Sequence, residues 1–254
     1  MHECAINCQS VTRRSSIPAG LSGMINEGVP VVPRPAATVL LVDPTQQPWQ
    51  VLMMRRPGGA DFAPGAYVFP GGSVHAEDAE LGDESRAAAV RELFEEVGIL
   101  LARRSDGRFA RDRECSRLRA RRMAGAGWID GLRELRLAPA IDRLVFLARW
   151  ITPEAVARRF DTRFYMARRP AGQTVHPQPG EVVSWTWTTP AGALAVDGLP
   201  LVHATRRILE SVAAEADVSR LMARLRHRPE TPPVLARLQR RPDGSFEVVE
   251  DRTT

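Results

Sequence analysis

Residues 69–99 read FPGGSVHAEDAELGDESRAAAVRELFEEVGI, and the second half of this stretch predicts an amphipathic helix. Four apolar residues recur at i, i+3, i+4 and i+7 and so form one stripe: Val90, Leu93, Phe94 and Val97. Three carboxylates fall on the opposite side of the same helix: Glu92, Glu95 and Glu96. Like charges at these spacings repel by roughly 0.2–0.5 kcal/mol per pair. We therefore expect a hard cation with oxygen ligands to hold them together.

The ends of this helix are also marked in the sequence. Asp83 or Ser85 is a candidate N-cap, since short polar side chains accept hydrogen bonds from the first free N–H groups. Gly98 supplies a C-terminal stop, because glycine readily adopts the left-handed conformation that ends a helix. Upstream, Gly71 and Gly72 predict a tight turn that leads into a polar, acidic loop.

The segments outside this stretch alternate between strand and helix patterns. Residues 36–43 and 49–56 predict the two strands of a hairpin. Three later segments, 143–150, 160–167 and 181–188, also have strand patterns. Strands and helices in this order predict an α+β fold, in which a mixed β-sheet is sandwiched between helices as α/β/α layers.

The domain organisation follows from changes in composition and periodicity. Residues 1–30 lack a period and are predicted to be a mobile tail, followed by one domain over 31–228. Within that domain, residues of about 105–140 predict a helical insertion, and residues 201–228 predict closing helices. Residues 229–254 form a C-terminal extension that can add a short ribbon.

The bulk composition restricts the class of protein. At 254 residues and 44% hydrophobic, the chain can build one sizeable core. It contains no apolar run of about 18 residues, so we expect no membrane span. The N-terminus lacks the pattern of a secretory signal, and three cysteines do not make a disulfide framework. The expected location is therefore a reducing cytoplasm.

The charge of the chain points to an anionic partner. The formal net charge is +5, and every basic residue is an arginine. A pI near 10 admits nucleic acid as a partner. However, aromatic residues make up only 6% of the chain, and the arginines are spread along it without interleaved stacking residues. A small anionic substrate is the better use of this charge, and a homodimer is left open.

Taken together, the glycine loop and the helix resemble the signature of the Nudix hydrolases. That pattern is a glycine, a spaced glutamate, and then R-E-apolar-x-E-E-x-G-apolar on a loop–helix–loop, and residues 91–99 match its last part position by position. The family has five residues between the glycine and its spaced glutamate. Counting back from Arg91 puts Asp83 at that position, so we predict an insertion between Gly72 and Asp83. By resemblance, Asp83 and Arg91 would form a structural brace.

The resemblance implies a diphosphatase that depends on Mg²⁺ or Mn²⁺, ions that neutralise phosphate oxygens and activate water. Glu95 and Glu96 are the leading predicted ligands, Glu92 is a ligand or orients the water, and the carbonyl of Gly71 or Gly72 joins them. Arg91 belongs to the predicted catalytic set. So does Glu181, which follows Pro179 and Gly180. His176 is the second choice for that additional position, and an ordinary strand-edge role is the alternative for Glu181.

Arginines near the glycine loop are candidate substrate ligands. Arg55 and Arg56 end the strand before this loop, where related enzymes place a phosphate-binding arginine, and the backbone of Gly71 is a further candidate. The alternative for the two arginines is a solvated strand end. Arg158 and Arg159 likewise either bind an acidic group of the substrate or form a solvated charge pair.

Residues 62–72 and 150–167 resemble the Nudix branch of peroxisomal acyl-CoA and CoA diphosphatases. This resemblance implies a nucleoside diphosphate substrate, with coenzyme A or acyl-CoA favoured, and the products 3′,5′-ADP and (acyl-)phosphopantetheine. Asp61 departs from the CoA-cleaving motif, which has a second arginine there. The alternative substrates are NADH, ADP-ribose or an oxidised nucleotide. An alternative of another class is a catalytically idle Nudix domain that binds a ligand.

Overall fold

The structure is a computed structural model that describes residues 15–16, 25–26, 28–242 and 246–251. The predicted mobile tail over residues 1–30 lies mostly outside these ranges, as do Cys4 and Cys8. Cys115 is buried and free.

The described residues form twelve strands and six α-helices. The strands are β1 (Ser15–Ser16), β2 (Arg34–Asp43), β3 (Gln50–Arg55), β4 (Tyr67–Val68), β5 (Gly71–Ser73), β6 (Ala102–Arg103), β7 (Ala138–Pro139), β8 (Val145–Ile151), β9 (Phe160–Arg168), β10 (Ser184–Thr188), β11 (Val234–Arg240) and β12 (Phe246–Asp251). The helices are α1 (Glu84–Val97), α2 (Asp112–Met123), α3 (Trp128–Glu134), α4 (Pro190–Leu194), α5 (His203–Val212) and α6 (Val218–Arg226). Short 3-10 helices cover Ala76–Leu81 and Ile141–Arg143. Over these ranges, no helix has the length and apolar character needed to cross a bilayer.

One mixed sheet of ten strands forms the centre of the molecule. Its main path runs β1-β12-β11-β8-β9-β2-β3-β10, while β4 pairs with β3 and β5 pairs with β2. The predicted hairpin is confirmed, since β2 and β3 are antiparallel. The predicted C-terminal ribbon is also confirmed as β11 and β12, and β11 pairs in parallel with β8. The C-terminal extension therefore continues the same sheet.

Helices cover both faces of the sheet, as the α/β/α prediction requires. Alternate residues of β2 point to opposite sides, so Val39 and Leu41 pack with α1, α2 and α3. Leu40 and Val42 pack on the other side, with α5 and α6. This alternation follows from the two-residue period of a strand that is buried on both faces.

The prediction of a tight turn at Gly71 and Gly72 is wrong, because these residues begin strand β5. Gly71, Gly72 and Ser73 pair with Thr38, Ala37 and Ala36 of β2. A Cβ atom on Gly71 would lie 2.4 Å from the carbonyl oxygen of Ala37. The absence of a side chain thus permits close approach of two backbones rather than reversal of the chain.

Helix α1 begins and ends where the sequence predicts. The Asp83 carboxylate accepts a hydrogen bond from the Arg86 N–H at 3.0 Å and caps the helix. Gly98 ends the helix in the left-handed conformation, with φ of +73°, and its N–H donates to the carbonyl of Phe94. The predicted helical insertion is present as α2 and α3, which pack beside α1.

The buried side chain of Gln173 ties this insertion to the core. Its Oε1 accepts from the Leu100 N–H at 2.8 Å, and its Nε2 donates to the carbonyls of Leu100 and Ala110 at 2.9 and 2.7 Å. These bonds satisfy backbone groups on the segment that leads from α1 into α2.

We expect Gln173→Leu to lower the free energy of unfolding by roughly 4 kcal/mol, because three buried backbone groups lose their partners. Chemical denaturation monitored by circular dichroism measures this loss. Gln178→Leu, at an exposed position in the same segment, serves as the control and should change stability by less than about 0.5 kcal/mol. Equal stability of the two variants would contradict the role assigned to Gln173.

Candidate active site

The Arg91 guanidinium is the centre of the candidate site, and it is 1% exposed. It makes a two-pronged ion pair with Asp78, from Nε at 3.0 Å and from Nη2 at 2.9 Å. Nη2 also donates to the carbonyl of Ser73 at 2.8 Å. Nη1 donates to Glu92 at 2.8 Å and to Glu95 at 2.9 Å. Burial alone would lower the pKa of Arg91, but the bond to Asp78 and the charges of Glu92 and Asp78 raise it.

The predicted Asp83–Arg91 brace is wrong, since Asp78 holds Arg91 and Asp83 caps α1. Asp78 is fully buried in the 3-10 helix before α1, whereas Asp83 pairs with Arg86. Counting forward from Gly72 leaves five residues before Asp78, the spacing of the family pattern. The extra residues therefore lie after the acid, between Asp78 and Arg91. A backward count from Arg91 assumes that the extra residues lie before the acid. It therefore could not distinguish Asp83 from Asp78.

Glu92 lies against the glycine strand. A Cβ atom on Gly72 would be 2.6 Å from each carboxylate oxygen of Glu92, so a side chain here would displace this carboxylate from its position. Burial raises the pKa of Glu92, and the nearby charge of Arg91 opposes that effect. The sequence prediction that Gly72 and Glu92 belong to one site therefore has a direct steric basis.

Glu96 is the most deeply buried of the three helix carboxylates, at 5% exposure. Its Oε2 accepts a hydrogen bond from the Gly71 N–H at 2.7 Å. Burial raises the pKa of Glu96 well above its usual value, and the negative charges of Glu92 and Glu181 add to this rise. Gly71 and the positive charge of Arg56 oppose the effect. A buried carboxylate beside two others is a position where a cation is stabilising.

Glu95 differs from the other two carboxylates of the helix. One of its oxygens pairs with Arg91, and the other accepts from Nη2 of Arg122 in α2 at 2.8 Å. Glu92 and Glu96 line a cavity beside the helix, while both oxygens of Glu95 are directed to arginines. Among the predicted ligands, the geometry therefore favours Glu92 and Glu96 over Glu95.

A cavity of about 750 Å³ opens beside these carboxylates. Glu181 lines the same cavity from the turn before β10, rather than from the predicted strand itself. His176 lies close to Gly98 at the end of α1. Of the two candidates for the additional residue, Glu181 is the one that joins Glu92 and Glu96.

The two arginines at the end of β3 have different surroundings. Arg56 lines the cavity and donates from Nε to the carbonyl of Phe62 at 2.9 Å. Arg55 is exposed and donates to the carbonyl of Gly65. The predicted pair of substrate-binding arginines is therefore divided, and Arg56 is the member that faces the cavity.

A second cation reaches the cavity from another loop. Arg158 lines the cavity and pairs with the exposed Asp61 at 2.6 Å. Arg159 is buried instead and donates to the carbonyls of Thr152 and Val31, so its role is structural. The CoA-cleaving motif has an arginine at position 61. In this chain that position is Asp61, which pairs with Arg158 at the cavity instead.

The donors at this site are carboxylate and backbone oxygens, which suit Mg²⁺ or Mn²⁺. Within residues 28–242 and the shorter described segments, no three His, Cys, Asp or Glu side chains form a metal-binding group by themselves. An ion here would therefore take further oxygens from the backbone, water or substrate phosphates, as Mg²⁺ commonly does. Glu96 is buried and Glu92 is partly buried, and the charge of Glu92 disfavours ionisation of Glu96, so the two carboxylates fit such an ion.

The chain is similar in sequence to known Nudix proteins. Residues 80–196 match the family model of the NUDT19 Nudix domain. A putative nudix hydrolase 7 from Caenorhabditis elegans is 35% identical over 157 residues, which are 62% of this chain and 52% of that protein. The acyl-coenzyme A diphosphatase NUDT19 from Xenopus laevis is 27% identical over 58% of this chain and 54% of that protein. The chain spans about half the length of these curated relatives.

The fold also matches a solved structure over most of its length. A NUDIX hydrolase from Alicyclobacillus acidocaldarius superposes with a TM-score of 0.66 at 25% identity. The match covers 78% of this chain and 99% of that one.

The two aspartates before and at the start of α1 should differ sharply in their contribution to stability. Asp78→Ala leaves the buried Arg91 without its main partner and should cost about 3–5 kcal/mol. Asp83→Ala removes a helix cap and should cost about 1 kcal/mol. Urea unfolding of both variants measures the difference. If Asp83→Ala lowered the free energy of unfolding as much as Asp78→Ala or more, Asp83 rather than Asp78 would be the main partner of Arg91.

Proposed function

We propose that this chain, which belongs to the Nudix hydrolase superfamily, hydrolyses the diphosphate bond of a nucleoside diphosphate linked to another moiety. The favoured substrate is coenzyme A or acyl-CoA, and the favoured cofactor is Mg²⁺ or Mn²⁺. The observation that carries the proposal is the position of Glu96. This buried carboxylate lies beside Glu92 and Glu181, and it shares a cavity with the cation Arg56.

The reaction joins a water oxygen to one phosphorus and breaks that phosphorus's bond to the bridging oxygen. A divalent ion at the carboxylates would neutralise phosphate charge and lower the pKa of water. Glu92 and Glu96 hold the negative end of the site, and Glu181 lines the same cavity close enough to add its charge to that of Glu96. Glu92 is suited to orient the attacking water and accept its proton, since it lies at the cavity surface beside Gly72.

The arginines have separate tasks in this proposal. Arg91 stays buried and fixes the rotamers of Glu92 and Glu95 through its own hydrogen bonds. Arg56 binds a phosphate oxygen of the substrate, because it faces the cavity near Glu96. Charge-assisted bonds of this kind between arginine and phosphate are among the stronger hydrogen bonds in proteins.

Three features support coenzyme A or acyl-CoA over other diphosphates. The cavity is large and extends beyond the carboxylates into an apolar region. Asp61 pairs with Arg158 at the cavity, and the Arg158 guanidinium can bind a further phosphate of the substrate there. The relative from Xenopus laevis is named an acyl-coenzyme A diphosphatase.

A cytoplasmic location and a homodimer stay predictions.

Incubation with coenzyme A and Mg²⁺ or Mn²⁺, followed by mass spectrometry of the products, tests the proposal. We expect 3′,5′-ADP and phosphopantetheine, and loss of both when the metal is chelated. Glu96→Gln should reduce kcat/KM by about 100-fold or more, as loss of a transition-state charge contact does. Glu84→Gln, at an exposed position on the same helix, is the matched control and should keep full activity.

Stability measurements separate a lost reaction from a lost fold. Because burial opposes ionisation of Glu96, metal-free Glu96→Gln should unfold at a temperature no lower than the metal-free wild type. Activity on NADH or ADP-ribose without activity on coenzyme A would overturn the favoured substrate. Turnover of no diphosphate with either metal would overturn the enzymatic proposal in favour of a ligand-binding Nudix domain.

The neighbouring arginines provide a second test. We expect Arg56→Ala to lower kcat/KM by roughly 10–100-fold, the value of one hydrogen bond to a charged group. Arg55→Ala should change it by less than about threefold, because that side chain is exposed outside the cavity. Steady-state kinetics of the purified variants measure both effects. Equal losses would show that the two arginines act as a pair, as the sequence alone predicted.

A further inference from the structure

The helical insertion contributes one arginine, Arg122 of α2, to the glutamates of α1. Its Nη2 donates to Oε1 of Glu95 at 2.8 Å. Its Nη1 donates to the carbonyl of Ala126, in the turn between α2 and α3, at 3.1 Å. Backbone bonds close that turn, since the Gly125 N–H donates to the carbonyl of Arg122 at 3.0 Å. The insertion therefore holds this guanidinium at a defined position beside α1.

Glu95 lies between two guanidinium groups that have unequal duties. The Nη1 of Arg91, which donates to Glu95 at 2.9 Å, also donates to Glu92 at 2.8 Å. Arg91 is in addition the partner of the buried Asp78. Arg122 has Glu95 as its one carboxylate partner among the described residues. The charge of Glu95 is therefore balanced mainly by Arg122, and the two form an electrically neutral pair.

This pair is close in sequence and space to the carboxylates that line the cavity. Glu92 and Glu96 lie within one helical turn of Glu95. A divalent ion bound there responds to every charge within several ångströms. Without Arg122, the site would carry one more uncompensated negative charge, and Oε1 of Glu95 would lose its partner. Both changes favour the entry of Glu95 into the coordination shell of the ion.

We propose that Arg122 is a positioning residue that keeps Glu95 out of the divalent-metal site and lowers the affinity of that site for the ion. This inference rests on the proposed function and assigns a role in it to the helical insertion. Glu92 and Glu96 hold the ion, while the neutral Glu95–Arg122 pair adds little to the field. A position in the coordination shell that Glu95 would fill is left to water or to a phosphate oxygen, the ligands that Mg²⁺ commonly keeps.

Calorimetric titration of the full chain with Mn²⁺, at low ionic strength and without substrate, tests this role. Arg122→Gln leaves the charge of Glu95 uncompensated and should tighten Mn²⁺ binding by about 3–10-fold, the size of a Coulomb interaction near a protein surface. Arg122→Lys keeps the charge and should stay within about twofold of wild type. Arg121→Gln is the matched control, because Arg121 is exposed and pairs with Glu134 of α3 at 2.6 Å. It should leave the Mn²⁺ affinity unchanged.

The double variant distinguishes a neutral pair from a metal ligand. Glu95→Gln alone leaves Arg122 without its carboxylate and should weaken Mn²⁺ binding by about 3–10-fold. Glu95→Gln combined with Arg122→Gln is neutral again and should return to within about threefold of wild type. If Glu95 were itself a ligand of the ion, the double variant would bind Mn²⁺ as weakly as Glu95→Gln does.

Unchanged or weaker Mn²⁺ binding by folded Arg122→Gln overturns the proposal, as does a double variant that stays weak. Circular dichroism and melting temperatures establish folding, and Arg122→Met, which keeps the apolar part of the side chain, replaces Arg122→Gln if that variant is unfolded. The expected Mn²⁺ affinities without hydrolysis of any diphosphate support the role of Arg122 and overturn only the diphosphatase. Hydrolysis of coenzyme A with an unchanged Mn²⁺ affinity in Arg122→Gln does the reverse. A wild type that binds no Mn²⁺ overturns this role together with the proposed metal site.

Discussion

The buried ion pair of Arg91 with Asp78 is the interaction on which the rest of the site depends. One guanidinium, almost without contact with solvent, binds the acid before α1, a carbonyl of β5 and two glutamates of α1. A buried charge is costly unless its partners are well placed. Those partners come from three elements, so the arginine fixes the helix, the glycine strand and the preceding loop at one relative position.

That arrangement leaves the negative charge of the site only partly compensated. Arg91 balances Asp78 and contacts Glu92 and Glu95, and Arg122 takes the remaining oxygen of Glu95. Glu96 has a backbone N–H as its hydrogen-bond partner and faces the charges of Glu92 and Glu181. The arginines thus divide the glutamates into one that is neutralised within the protein and two that remain available at the cavity. The same residue type, at adjacent positions on one helix, serves two purposes.

Much of the fold and part of the site could be predicted from sequence, because those features are local. The limits of α1 and the Asp83 cap follow from spacing within one segment, whereas Gly72 was placed in one site with Glu92 only by resemblance to the family. The partner of Arg91 could not be fixed by a backward count, since a loop can absorb extra residues on either side of the acid. Glu95 was predicted as a ligand because helix periodicity cannot reveal Arg122, which approaches from a different helix. The cavity beyond the carboxylates depends on strands that are distant in sequence.

The order of strands in the central sheet has a consequence for how the protein folds. Strand β2 pairs in parallel with β9, so that Arg34 lies beside Phe160, and β8 pairs in parallel with β11. Such distant pairings pay a large loop-closure entropy before they gain contacts, and they form slowly. The hydrogen bonds within helix α1 are local in sequence and can form earlier. During refolding, helical signal should therefore appear before the chain can retain a ligand, because the cavity is complete only after the distant strands have paired.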